Sequence, residues 1–196
     1  MSTTFAPSAF AELDKIKTPN FDAAAPWNYQ DADDELRLIA KFLASKASHE
    51  SEIDPNRIKF FYTTKVKKDG GKFILGTLSA IDELQRMIND QYDYILCIYY
   101  PVWKDLDSKN KAIQLDKILC GVQLAPGKDQ AEVVVKKKAT DVREYEENMK
   151  HFGNEDVLKS SEIVNLAVTR ILEEEAEQKK LRKEQNQAKK KKKTDE

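Results

Sequence analysis

The run from Tyr92 to Tyr100, closed by Pro101, is the stretch that most limits the folds open to this chain. It is almost entirely apolar or aromatic and too short to cross a bilayer, which takes roughly 20 such residues. A short, continuous apolar run of this kind predicts a central strand buried on both faces, and Pro101 ends it. Arg57 to Thr64, aromatic and β-branched, predicts a second strand. Lys65 to Gly71 reads as an exposed hairpin connection leading to a third, Lys72 to Ser79. Ala131 to Val135 predicts a short fourth strand.

Helical spacing fills the intervals. Asp31 to Ala47 carries Leu36, Ile39, Ala40 and Leu43 on one face, with Asp31, Asp33, Asp34 and Glu35 at the dipole's positive end. Ile81 to Asp90 repeats Leu84, Met87 and Ile88. Leu106 to Leu124 presents Ala112, Leu115, Leu119 and Val122, with Asp107 or Ser108 as its cap and Ala125-Pro126-Gly127 as its stop. Asp141 to Phe152 is a helix that Gly153 ends. Asp156 to about Arg182 is a longer one, apolar along Ile163, Val164, Ala167, Val168, Ile171 and Leu172 and then almost wholly charged. The predicted fold class is α+β: a small mixed or antiparallel sheet with packed helices.

Three parts are expected. Residues 1–30, with Pro7, Pro19 and Pro26 among Phe5, Phe10, Phe21 and Trp27, are either an arm that packs on the domain or on a partner, or a flexible leader. Residues 31–178 form the domain. Residues 179–196 form a charged, lysine-rich tail, disordered over its low-complexity run. The net charge of −1 hides this asymmetry, because nine Lys/Arg against three Asp/Glu put the tail at +6 and the remainder at −7. A basic end of this kind can meet nucleic acid or an acidic protein. Candidate phosphate contacts are Lys65, Lys67 and Lys68 beside Phe60, Phe61 and Tyr62, then Lys136, Lys137 and Lys138, then Lys189, Lys190, Lys191, Lys192 and Lys193. The lysines of the first group serve equally as guards of a hairpin.

Little else points to chemistry. The chain shows no export signal and no membrane segment, which places it in the cytoplasm and makes Cys97 and Cys120 free, buried thiols. His49 and His151 read as structural or surface residues. No phosphate loop, nucleophile elbow, C-x-x-C or dinucleotide glycine pattern is present. Glu144, Glu146 and Glu147 read as a solvated helix face.

The stretch from Trp103 to Gly121 adds a resemblance. It is similar to the metal-binding helix of a phage metallopeptidase family, in which a strand is followed by a Trp, a helix start and Leu-Asp-His-Glu-Leu-Cys-His. Leu115, Asp116, Leu119 and Cys120 match that pattern, whereas Lys117, Ile118 and Gly121 stand where it has His, Glu and His. Phe73 to Ala80 with Gly76, Tyr92 to Ile98, Thr140 to Tyr145 and Phe152-Gly153 resemble further segments of the family in order. Thr140 stands at a downstream His. The resemblance spans roughly Glu35 to Leu166.

The resemblance implies a minimal zincin-like scaffold whose degenerate metal-site positions are Lys117, Ile118, Gly121 and Thr140. In H-E-x-x-H, two imidazoles one helical turn apart share a metal and the Glu deprotonates its water. An ammonium, an alkyl group and a glycine supply neither function. The expectation is a pseudoenzyme with no catalytic residue, metal or cofactor, whose helix around Lys117 to Gly121 lines a vestigial cleft. There Lys117 would pair with a carboxylate near Asp116 or with Glu144. Such a protein would act by binding another protein in the host cytoplasm or within a virion. Nucleic-acid association through the lysine segments is the alternative, and a hydrolase with a rebuilt site the third.

Overall fold

A computed structural model describes residues 5, 7–22, 25, 28–46, 54–69, 72–82, 88, 91–126, 133–137 and 146–194, with the backbone path alone at 7–9, 46, 69, 72, 122–126, 133–137 and 186–194. A 3-10 helix, Pro7–Lys15, precedes strand β1 (Tyr29–Asp31) and helix α1 (Asp33–Lys46). Strands β2 (Ile58–Thr63), β3 (Lys67–Asp69), β4 (Lys72–Ile74), β5 (Gly76–Ala80) and β6 (Tyr94–Tyr99) follow. Then come the short helix α2 (Tyr100–Trp103), α3 (Ser108–Cys120), strands β7 (Val122–Pro126) and β8 (Val133–Lys137), and helices α4 (Glu146–Phe152) and α5 (Asn154–Thr194).

The apolar run is central, as its composition requires. The four-stranded sheet runs β1-β2-β6-β5, with β6 parallel to β2 and antiparallel to β5, and β1 antiparallel to β2. It is mixed, and the architecture is α+β. Arg57 and Asp93 hold the entry to the parallel pair in register through two contacts of 2.7 and 2.8 Å. Pro101 sits in the first turn of α2, where a missing N–H costs nothing.

Ile58, Phe60 and Tyr62 of β2 and Leu96 and Ile98 of β6 are fully buried with Leu36, Ile39, Ala40 and Leu43 of α1. Phe10 and Leu13 from the N-terminal 3-10 helix belong to the same core. Helix α5 packs through Val157, Ser160, Val164 and Val168, which recur at helical spacing. Ile163, expected on that face, is exposed. From Glu173 to Gln185 every residue is exposed, and the backbone continues as helix to Thr194, past the expected end near Arg182.

Several boundaries move for identifiable reasons. The predicted helix Leu106 to Leu124 is shorter: Asp107 caps it by accepting from the Asn110 N–H at 2.7 Å, Gly121 closes it, and Val122 enters β7 instead of extending its face. Val122 and Leu124 are strand formers, and β8 supplies them with ladder partners. The expected strand Ala131 to Val135 is displaced to Val133–Lys137 for the same pairing. Lys67–Asp69 is itself a strand paired with Lys72–Ile74, so the hairpin is longer than its connection suggested, and Leu75 separates β4 from β5. The strand β1 was not foreseen. Most of the expected helix Ile81 to Asp90, and residues 141–145 of the next, lie outside the described residues.

Helix α3 has α1, α4, α5, β5 and the N-terminal 3-10 helix as neighbours. Leu115 and Leu119 are buried on it, whereas Lys117 is half-buried. Truncating a buried Leu costs about 2–5 kcal/mol. Leu119→Ala is therefore expected to lower the melting temperature clearly and Lys117→Ala to leave it nearly unchanged. Equal losses in thermal denaturation would mean that the Lys117 ammonium holds the core together.

Candidate functional site

The last turn of α3 carries the residues that the resemblance singles out. Lys117 donates from Nζ to Ser161 Oγ on α5 at 3.1 Å. Ile118 points toward the sheet, where a Cβ added to Gly76 would meet its Cδ1 and that of Ile98 at 2.6 Å and the Cys97 carbonyl at 2.9 Å. Gly76 thus leaves the room in which Ile118 seats. Gly121 is buried and caps the helix, its N–H donating to the Lys117 carbonyl at 3.0 Å. Among the described residues, Ile118 is half-buried at this turn and occupies the space beside Gly76. There Lys117 meets the Ser161 hydroxyl. Thr140 and Glu144 lie outside the described residues. The ammonium, alkyl group and glycine at these positions do not fit a zinc ion.

One residue earlier on the helix, the chemistry differs. Asp116 is fully buried at 0 % exposure and accepts from Asn148 Nδ2 at 2.7 Å. His151 Nδ1 lies 3.0 Å from its Oδ2 and 3.2 Å from its Oδ1, and the Cys120 thiol donates to Oδ2 at 3.6 Å. Asp116, Cys120 and His151 are all buried, and one ligand-type atom from each lies within 4.8 Å of the others. Asn148 also donates to the Ile113 carbonyl at 3.2 Å, while its own Oδ1 is buried without a partner. His151, expected as a structural or surface residue, is an inward-facing partner of Asp116. The sequence did contain half of this signal: Asp116 and Cys120 are four apart, hence on one face. The reach of His151 from α4 could not be read from spacing.

A second buried network lies toward the other end of α3. Glu35 is 1 % exposed, and Lys111 Nζ stands 2.9 Å from its Oε1. Thr18 donates to the same oxygen at 2.8 Å, and the Tyr62 hydroxyl donates to Oε2. Lys111 also donates to Thr18 and lies 5.7 Å from the Trp103 ring centroid. Burial, reinforced by the Glu35 charge and its hydrogen bond, drives the Tyr62 phenol well above its ordinary range. Glu35 had been assigned to the helix dipole and Lys111 to no role, because a charge that pairs inside a core looks in sequence like one that faces water.

The lysines fall into three places. Lys65, Lys67 and Lys68 are exposed on one edge, where Lys65 lies 5.8 Å from the Tyr29 ring, Lys68 4.6 Å from the Phe73 ring, and Lys67 3.3 Å from Thr77 Oγ1. Lys65 and Lys67, with Thr63 and Cys97, border a hollow of about 10 Å³, room for no more than one water. Lys136 and Lys137 end β8, and Lys138 lies outside the described residues. Lys189, Lys190, Lys191, Lys192 and Lys193 lie on the terminal turns of α5.

A family model described as "Putative phage metallopeptidase" matches residues 27–174. No curated protein and no solved structure gives a significant match.

Removing one partner of a buried ion pair strands the other's charge and typically costs about 3–5 kcal/mol. Lys111→Ala is therefore expected to destabilise the fold far more than Lys109→Ala, whose partner Asp156 is partly exposed at 2.7 Å. Chemical denaturation of both variants measures the difference, and comparable losses would contradict the buried pair. The Tyr62 shift has a defined sign. A phenol whose folded pKa is raised stabilises fully below its unfolded value of about 10, and that contribution is lost as pH rises beyond it. Urea stability of the wild type should fall more steeply above about pH 10 than that of Tyr62→Phe. Parallel profiles would show that Tyr62 is not linked to folding.

Proposed function

The chain belongs to the phage metallopeptidase family, and we propose that this member acts by binding another macromolecule, a protein in the first instance, and hydrolyses nothing. The observation that carries this is the seating of Ile118 against Gly76 and Ile98. A peptidase helix needs a carboxylate there, facing a space that holds water and substrate. An alkyl side chain there offers no base. Lys117, bonded to Ser161, adds a positive charge where a metal would need a neutral imidazole.

A protein partner suits what remains at the surface. Leu158, Ile163 and Leu166 are exposed on α5, outside the face that packs on the domain. No helix among the described residues is long and apolar enough to cross a membrane. The host cytoplasm or the virion is the setting that the family suggests.

Nucleic-acid association is the second reading. It is favoured by the exposed edge of Lys65, Lys67 and Lys68 with Tyr29 and Phe73 against it. Stacking aromatics beside cations are how single strands are held without sequence preference.

Two measurements separate these outcomes. With added zinc, the protein is expected to leave an unfolded protein substrate intact. Zinc-dependent cleavage that disappears on changing Lys117 or Ile118 would restore the hydrolase. Binding to a labelled single-stranded oligonucleotide, if phosphate contacts carry it, should weaken steeply with salt and further on deleting Lys189 to Lys193. Absence of binding even at low salt removes the nucleic-acid alternative.

A further inference from the structure

We propose that Asp116, Cys120 and His151 form a buried structural site for a zinc-type divalent cation that clamps α4 onto α3. The site is independent of the binding role proposed above and does not use the positions at which the family pattern has its histidines. Residues 116 and 120 each precede 117 and 121 by one step, about 100° around the helix, so they face α4.

The distances fit. Zinc bonds of about 2.0–2.3 Å place tetrahedral neighbours roughly 3.3–3.6 Å apart. Here the imidazole nitrogen stands 3.0 and 3.2 Å from the two Asp116 oxygens, and the Cys120 sulfur 3.6 Å from Oδ2. The Cys120 sulfur and the imidazole lie within 4.8 Å of each other, so a shell closes with a movement of about 1 Å at most.

The donor set fits as well. Carboxylate oxygen, imidazole nitrogen and thiolate sulfur together suit zinc better than the hard cations magnesium or calcium. On binding, Cys120 loses its proton, so Asp116 and Cys120 together carry −2 against the +2 of the ion. A buried site then has no net charge to solvate. Asn148 holds Asp116 in place through Nδ2, the orienting contact that metal ligands commonly have. Its Oδ1 is an unpartnered oxygen on a fully buried side chain of the same cluster. Burial of every member excludes substrate, so the ion would tie helices together and leave no coordination position for a reaction.

Titration of the folded, full-length protein with Zn²⁺ and Co²⁺ tests this. The expected result is uptake of about one equivalent, with cobalt producing thiolate charge-transfer absorption in the near ultraviolet. Uptake and absorption should be lost in Cys120→Ser and His151→Gln and retained in Cys97→Ser and Lys117→Ala. Zinc should raise the melting temperature of the wild type and leave that of Cys120→Ser unmoved. No uptake by the wild type, a cobalt complex without thiolate absorption, or uptake unchanged in Cys120→Ser would each overturn the site. The wild-type spectrum decides even if a variant fails to fold. Metal uptake without peptide hydrolysis leaves the binding role standing, and hydrolysis by a protein that takes up no metal at Cys120 would sink both proposals separately.

Discussion

Helix α3 is buried from Lys111 to Asp116 without a break, and the arrangement of its neighbours follows from that burial. Buried polar groups are costly unless bonded. Lys111 is answered by Glu35 of α1, Gln114 by Ser160 of α5 at 3.0 Å, and Asp116 by Asn148 and His151 of α4. Each of the three is answered from a different helix. Leu115, Ala112 and Ile113 supply apolar burial that many packings would satisfy. The polar contacts are met in few of them, which makes them the specifying element of this core.

Apolar periodicity made much of the fold legible. The face Leu36, Ile39, Ala40 and Leu43 is buried throughout, β6 is central, and Asp107 caps α3. The errors cluster where a tertiary partner overrides local preference. Val122 continues a helical spacing, yet β8 offers it a ladder. Asp31 belongs to β1 because Phe61 lies opposite, and its acidic neighbours made it look like a helix start. Charged residues were the least legible of all: Glu35, Lys111 and Asp116 have the composition of a solvated surface and the burial of a core. Their partners lie 76, 32 and 35 residues away in the chain, beyond any local pattern.

The family match and the last turn of α3 separate what packing requires from what a metal would require. Leu115 and Leu119 are needed for packing whatever the helix does. His at 117 and 121 and Glu at 118 are needed only if a metal sits there. Gly76 leaves the space that Ile118 occupies, since a side chain at 76 would collide with Ile118 as it lies. Sequence shows the substitution at 118, and the glycine that makes space for it becomes meaningful only in three dimensions.

The length of α5 has an electrostatic consequence. From Leu172, where packing ends, to Thr194 is about 33 Å of helix at 1.5 Å per residue. The Debye length at physiological ionic strength is about 8 Å. Glu173, Glu174, Glu175 and Glu177 supply −4 of the −7 on the exposed helix itself, so the domain up to Leu172 carries −3, several screening lengths from Lys189 to Lys193. A polyanion met by Lys189 to Lys193 would be attracted by the tail without being repelled by the domain behind it. The near-zero net charge of the whole chain describes the field at neither end.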